Sequence, residues 1–181
     1  KPMRRSDWQA AQRPDTLLAN SHYVADEIKR YYGRPSQVLF PLAQVDQIKL
    51  ASQQVKAKGI RQIRQELFKG GDFYVVAGRQ VNWKRFDLAI QACLKTRENL
   101  LVIGSGPEHN SLVKLAGDSS QIKFLPKYDG VGEIVKYYRS AKGLIFPSLE
   151  PFGIVPVEAL ASRLPVLAFR RGGSADIIRD K

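Results

Sequence analysis

The chain has 181 residues, 44% hydrophobic and 25% charged, and its 29 basic and 17 acidic side chains give a net charge of +12. That length and balance fit one globular domain, or one domain with part of another. The composition is ordinary for a globular protein that buries a core; Cys93, the lone cysteine, excludes a disulfide framework and a thiolate metal cluster, and no apolar run is long enough to cross a bilayer.

The chain opens in a basic helical segment, and residues 16–20 read as a short strand. Ser21 then caps a helix to about Tyr32, closed by Gly33. Gln37 to Phe40 is a second strand, stopped by Pro41, and residues 42–58 carry weak signals. Gly59 to Lys69 is a basic amphipathic helix with Ile60, Ile63 and Leu67 on one face.

From there strands and helices alternate. Strands are expected at 73–78, 99–103, 121–125, 143–146 and 165–169. Helices are expected at 84–95, 107–116, 131–140, 153–162 and from 174 to the end. Strands rich in Val, Ile, Leu and Phe between helices predict an α/β fold: a Rossmann-like, doubly wound parallel sheet with helices on both faces. In such sheets ligands bind beyond the carboxyl ends of the strands. Arg79, Gly104 to Gly106, Lys127 and Glu150 all fall at such ends.

The most informative stretch is Ser148 to Leu160, where Glu150 and Glu158 stand eight positions apart. Glu150 lies on the loop leaving a strand. Glu158 lies roughly five residues into the next helix, about 7 Å along its axis. The two carboxylates are expected to point into one crevice, which the N–H groups of Phe152, Gly153 and Ile154 also face. Amide donors at a helix start suit a phosphate, and carboxylates suit sugar hydroxyls, so the site reads as one for a phosphorylated sugar. Glu158 is the candidate for a ribose diol and Glu150 for a transferred sugar. The plainer readings are a helix-start acid favoured by the dipole for Glu150 and a surface carboxylate for Glu158.

Gly78 allows a tight turn after the first sheet strand, from which Arg79 presents a planar fork and Lys84 a point charge. A leaving diphosphate needs such cations; solvated surface charge is the alternative. Gly104-Ser105-Gly106 lets a ligand approach the backbone, or is simply a tight turn; it lacks the third glycine of the dinucleotide fingerprint. Cys93 reads as a buried structural thiol, Trp83 as core packing rather than a shield over the phosphates, and His22 and His109 as surface or cap residues. Arg170-Arg171-Gly172-Gly173 reads as a loop before a final helix, or as an extension of the positive mouth. No two aspartates are separated by one residue, so the common acidic metal–diphosphate clamp is missing. The charge excess, +7 over residues 1–70 and +5 over the rest, favours anionic partners. For the basic helix near 56–69 the readings are contact with an anionic membrane surface or a solvated outer face. Nucleic acid is not expected as a partner, since it would rest on charge alone.

In this order, Ala19-Asn20-Ser21, Gly78-Arg79 with Lys84, Gly104-Ser105-Gly106-Pro107, Pro147-Ser148, the Glu150 to Glu158 motif, Pro165-Val166 and Gly172-Gly173 resemble the group 1 retaining glycosyltransferases (family four). The resemblance implies two facing Rossmann-like domains in the GT-B arrangement. It assigns residues 1–35 to the tail of the N-terminal acceptor domain, 36–48 to a crossover linker, and 49–181 to the donor-binding domain, incomplete at its C-terminal end. The chain is thus expected to be part of a longer enzyme. Arg79 and Lys84 would meet the donor diphosphate. Glu150 and the amides of Phe152, Gly153 and Ile154 would hold sugar and phosphate, and Glu158 the ribose. Gly78, Gly104, Gly106 and Lys127 would line the donor site.

The resemblance implies no cofactor and no metal, only a nucleotide-sugar donor, GDP-mannose or a UDP-hexose. The stretch from Trp8 to Arg34 and the run Phe152 to Ala159 look most like bacterial mannosyltransferases of lipopolysaccharide core or O-antigen assembly. That places a glycan or lipid-linked acceptor in the remainder of the enzyme. With a lone cysteine and no signal-peptide pattern at its start, the protein is expected in the cytoplasm, either free or peripheral on the inner face of the plasma membrane. The alternatives are another GT-B enzyme, such as a nucleotide-sugar epimerase or a phosphorylase, and a basic binding-only module.

Overall fold

A computed structural model describes residues 2–178. They fall into two compact units: residues up to 42 with 149–153 and the stretch from 170, and residues 43–148 with 154–169.

The first unit opens with α1 (Pro2–Ala11), β1 (Leu18–Ala19), α2 (His22–Tyr32) and β2 (Gln37–Val38). β1 and β2 pair in parallel, Leu18 opposite Gln37 and Ala19 opposite Val38. Both are shorter than the strands expected at 16–20 and 37–40, because pairing extends only as far as the bonds Gln37 N–H to Leu17 O and Leu39 N–H to Ala19 O. The helix after β1 forms as expected. Ser21 Oγ accepts the Val24 N–H at 3.0 Å, and Gly33 closes the helix at φ +68°, donating to Lys29 O. The Arg34 guanidinium then binds the carbonyls of Ala11, Pro14 and Asp15, tying the end of α1 to the start of β2. The helix expected from 174 is short, Ser174–Ile177, and residues 179–181 lie outside the described residues.

The second unit comprises α3 (Val45–Gln54), α4 (Ala57–Phe68), β3 (Phe73–Ala77), a 3-10 turn (Asn82–Lys84), α5 (Phe86–Thr96), β4 (Asn99–Ile103) and α6 (His109–Ala116), then β5 (Ile122–Leu125), α7 (Gly130–Ser140), β6 (Gly143–Phe146), α8 (Ile154–Ala161) and β7 (Val166–Ala168). Its five strands are all parallel, in the order β5-β4-β3-β6-β7. Successive residues of a strand face opposite sides of the sheet. Phe73, Val75 and Ala77 of β3 therefore join one core with Leu101, Ile103, Leu144, Val135 and Tyr138. Val76 joins the other, with Leu100, Val102, Phe86, Ile90 and Cys93. Layers on both faces make this the doubly wound α/β fold expected of the sequence. α3 fills the stretch of weak signals: Ile48 and Ser52 are buried, and the helix packs on α7 and α8.

Cys93 is buried, as expected, and burial pushes its thiol up to about 11. Native protein should therefore present roughly hundredfold fewer thiolates than an ordinary thiol at neutral pH. Iodoacetamide should label Cys93 only on unfolding; rapid labelling of native protein would contradict the packing of α5.

Candidate functional site

The sheet order reverses between β3 and β6, so the crevice of such a fold opens at the carboxyl ends of those strands. Gly78 leaves β3 at φ +133° while its N–H still donates to Ile103 O at 3.0 Å. The 3-10 turn then folds the chain back, and a Cβ on Gly78 would lie 3.2 Å from Lys84 Nζ. The ammonium thus sits against the glycine turn. Trp83 is 56% exposed, which corrects its expected place in the core: the 3-10 turn carries it outward, and its ring lies 5.2 Å from Lys84 Nζ as a cation–π neighbour. Arg79, exposed, projects from the same loop. The next cation along, Arg85, is engaged by Asp87 in a two-point pair at 3.0 and 2.9 Å.

The loop after β4 lies against this one. Gly104 sits at φ +112°, and a Cβ there would be 2.1 Å from Gly78 O. A Cβ on Gly106 would be 2.3 Å from Gln80 O. These glycines are needed because two backbones meet, a requirement more specific than the turn or ligand approach read from sequence. Lys127, exposed, follows β5 on the next loop.

Glu158 is the fifth residue of α8 and is half-buried; burial holds its carboxyl above the usual carboxylate range. The surface-carboxylate reading does not hold. The hydroxyls of Tyr128 and Tyr138 are raised first by burial and then by the charge of Glu158. Ile154, whose amide was expected at the helix start, is the first residue of α8.

Glu150, Phe152 and Gly153 belong to the first unit, where their loop is built from behind. The buried Ser21 hydroxyl donates to Pro151 O at 2.5 Å, and the Gly173 N–H donates to Glu150 O at 2.9 Å. A Cβ on Gly173 would lie 2.3 Å from Phe152 Cα, and one on Gly172 2.7 Å from Glu150 O. The Gly172-Gly173 pair is therefore a seat for the Glu150 loop. The sequence marks Ser21 only as a helix cap and the glycine pair as a loop before a helix or an extension of the positive mouth; adjacent glycines before a helix are the available signal. The structure thus brings Gly78, Lys84, Gly104 and Gly106 together, with Glu158 in the same unit, and builds the Glu150 loop within the other.

A five-stranded, doubly wound parallel sheet, with a glycine turn and an ammonium at the end of its central strand, is an α/β domain of the GT-B kind. Residues 60–181 match the family "Glycosyl transferases group 1", and the chain belongs to that family. It is 30% identical to a D-inositol 3-phosphate glycosyltransferase of Streptomyces bingchenggensis over 92% of this chain and 40% of that protein. Among solved structures, Anabaena Alr3699/HepE in complex with UDP-glucose superposes with a TM-score of 0.79 at 22% identity, over 98% of this chain and 51% of the other. WaaG, a glycosyltransferase involved in lipopolysaccharide biosynthesis, superposes at 0.71 with 23% identity, over 90% of this chain and 46% of the other. The chain spans about two-fifths of the length of the first of these relatives. No helix among the described residues is long and apolar enough to cross a membrane.

Proposed function

We propose that this chain binds the nucleotide-sugar donor of a retaining hexosyltransferase. The observation that carries the reading is the Lys84 ammonium held against the Gly78 turn at the end of the central strand, beside Arg79. As the bond between sugar and phosphate oxygen breaks, negative charge builds on the departing diphosphate, and the two cations stabilise it there. Glu158 accepts hydrogen bonds from the ribose diol. Glu150 orients the transferred sugar, with the amides of Phe152, Gly153 and Ile154 on sugar and phosphate, and Gly104, Gly106 and Lys127 line the site. The acceptor hydroxyl attacks with the anomeric configuration kept; no side chain is assigned as a covalent nucleophile, and no metal is required. The donor is GDP-mannose or a UDP-hexose. The acceptor is a glycan or lipopolysaccharide precursor met at the inner face of the plasma membrane, where the exposed cations of α4 suit acidic lipid.

A thermal-shift panel of GDP, UDP and ADP with their sugar conjugates tests this and names the base. One nucleotide should raise the melting temperature. In calorimetry, Arg79→Ala should weaken its binding roughly tenfold, the loss of a charged contact. The 181-residue chain should bind nucleotide yet transfer no sugar, because it spans only about two-fifths of a curated relative and half of a structural one. Unchanged nucleotide binding in both Arg79→Ala and Glu158→Ala would end the enzyme reading in favour of a basic binding module.

A further inference from the structure

Gln80 follows Arg79 on the β3 loop and is 0% exposed. A carboxamide so buried is costly unless its polar atoms are bonded. Here Nε2 donates to Gly104 O at 2.6 Å, and Oε1 lies 2.8 Å from His109 Nδ1. Gly104 O can only accept, which fixes Nε2 as the donor and Oε1 as the acceptor. His109 Nδ1 therefore carries a proton. The His109 ring stands edge-on to Phe124 of β5, centroids 5.5 Å apart. The backbone of Gln80 is engaged as well: its N–H donates to Ser105 O at 2.9 Å and its carbonyl accepts from the Glu108 N–H at 3.1 Å.

These bonds have a directional consequence. In a trans peptide the C=O and the following N–H point in opposite directions within one plane. Gln80 Nε2 draws the Gly104 carbonyl inward, so the Ser105 N–H faces away from Gln80. Gln80 N–H draws the Ser105 carbonyl inward, so the Gly106 N–H faces away as well. Neither amide donates to a backbone carbonyl among the described residues, and Ser105 is exposed. Two successive amides held with one orientation form an anion-binding concavity. An aliphatic side chain would fill the space of Gln80 but would leave the Gly104 peptide unpinned.

We propose that Gln80, braced by His109, is a positioning residue that aims the Ser105 and Gly106 amides at the diphosphate of the donor, alongside Arg79 and Lys84. The inference rests on the donor-binding reading above and assigns to that site two backbone donors and the side chain that orients them.

The test compares nucleoside diphosphate with monophosphate, UDP with UMP and GDP with GMP, by calorimetry on wild type, Gln80→Leu and His109→Phe, with a melting curve for each. Gln80→Leu should cut the diphosphate-over-monophosphate preference roughly tenfold while monophosphate affinity stays near wild type. A merely structural defect would weaken both alike. His109→Phe keeps the ring against Phe124 and removes only the brace; it should cut the preference about threefold and serves if Gln80→Leu does not fold. In amide NMR spectra of wild type, the Ser105 and Gly106 signals should move with UDP or GDP and not with the bare nucleoside. If wild type binds neither diphosphate, the donor reading falls and this inference with it. If wild type binds and the folded variants keep its preference, or the two amides stay still, the inference alone is overturned.

Discussion

Gly104→Ala should destabilise the second unit by roughly 3–5 kcal/mol and abolish nucleotide binding. The added Cβ would lie 2.1 Å from Gly78 O and 3.0 Å from Gly78 C, at a backbone φ of +112° that side chains rarely adopt. Both neighbours are backbone, so no rotamer change relieves the clash. Nor can the turns easily separate: Ala77 is in register with Ile103, Gly78 N–H bonds Ile103 O, and Gly104 N–H bonds Leu125 O at 2.8 Å. Three strand ends would shift together, carrying Arg79 and Lys84 with them. Domains of ordinary stability have about 5–15 kcal/mol in hand, so the variant should fold but melt about 10 °C lower. Gly132→Ala is the contrasting control. Gly132 lies inside α7, with nothing within 4 Å of a new Cβ, and alanine should stabilise that helix by up to about 1 kcal/mol. Equal melting temperatures for Gly104→Ala and wild type would show that the two turns do not meet as described.

The same turns show what can be read from a sequence and what cannot. The strands at 99–103 and 143–146 are found where the apolar runs place them, because a strand buried on both faces is written as a continuous apolar stretch. α3 escapes because its signals are weak one by one. Gln44 makes no side-chain cap, Ile48 and Ser52 are the buried positions, and the apolar Leu50 is exposed, so no clean apolar stripe is written. What holds it is packing on α7 and α8, which no local window contains. Trp83 is misplaced for a related reason: a large aromatic is assigned to the core unless something shows that a 3-10 turn carries it out. The chemistry-bearing types, Arg79, Lys84, Glu150 and Glu158, are visible because charge beside a strand end is conspicuous. Gln80, Ser21 and Gly173 act through bonds to backbone 24, 130 and 23 positions away, and no local signal, neither the cap pattern at Ser21 nor the glycine pair at 172–173, names those partners.

Glu158 combines a cost to the empty protein with the ribose contact proposed for it. Its folded carboxyl is raised by burial above its value in the unfolded chain. The native state therefore keeps its proton to higher pH than the unfolded state does. Stability from this group is fully present below the ordinary carboxylate range, declines as pH rises through the raised value, and stays reduced at neutral pH. Glutamine has nearly the same shape and no charge to desolvate. Glu158→Gln should thus make the nucleotide-free protein more stable at neutral pH and remove that portion of the decline, read from urea melts across the acidic to neutral range. Its binding should change in the opposite sense. Ribose hydroxyls donating to the carboxylate favour its charged form, so nucleotide affinity in wild type should rise as pH climbs through the raised value, with a proton released on binding. In Glu158→Gln that rise should vanish, and affinity at neutral pH should fall roughly 10- to 100-fold, the range for a lost charged hydrogen bond or two. Calorimetry in buffers of different ionisation enthalpy counts the proton directly. A glutamine variant that is no more stable when empty and binds nucleotide as tightly as wild type would remove Glu158 from the site and leave its burial without a purpose.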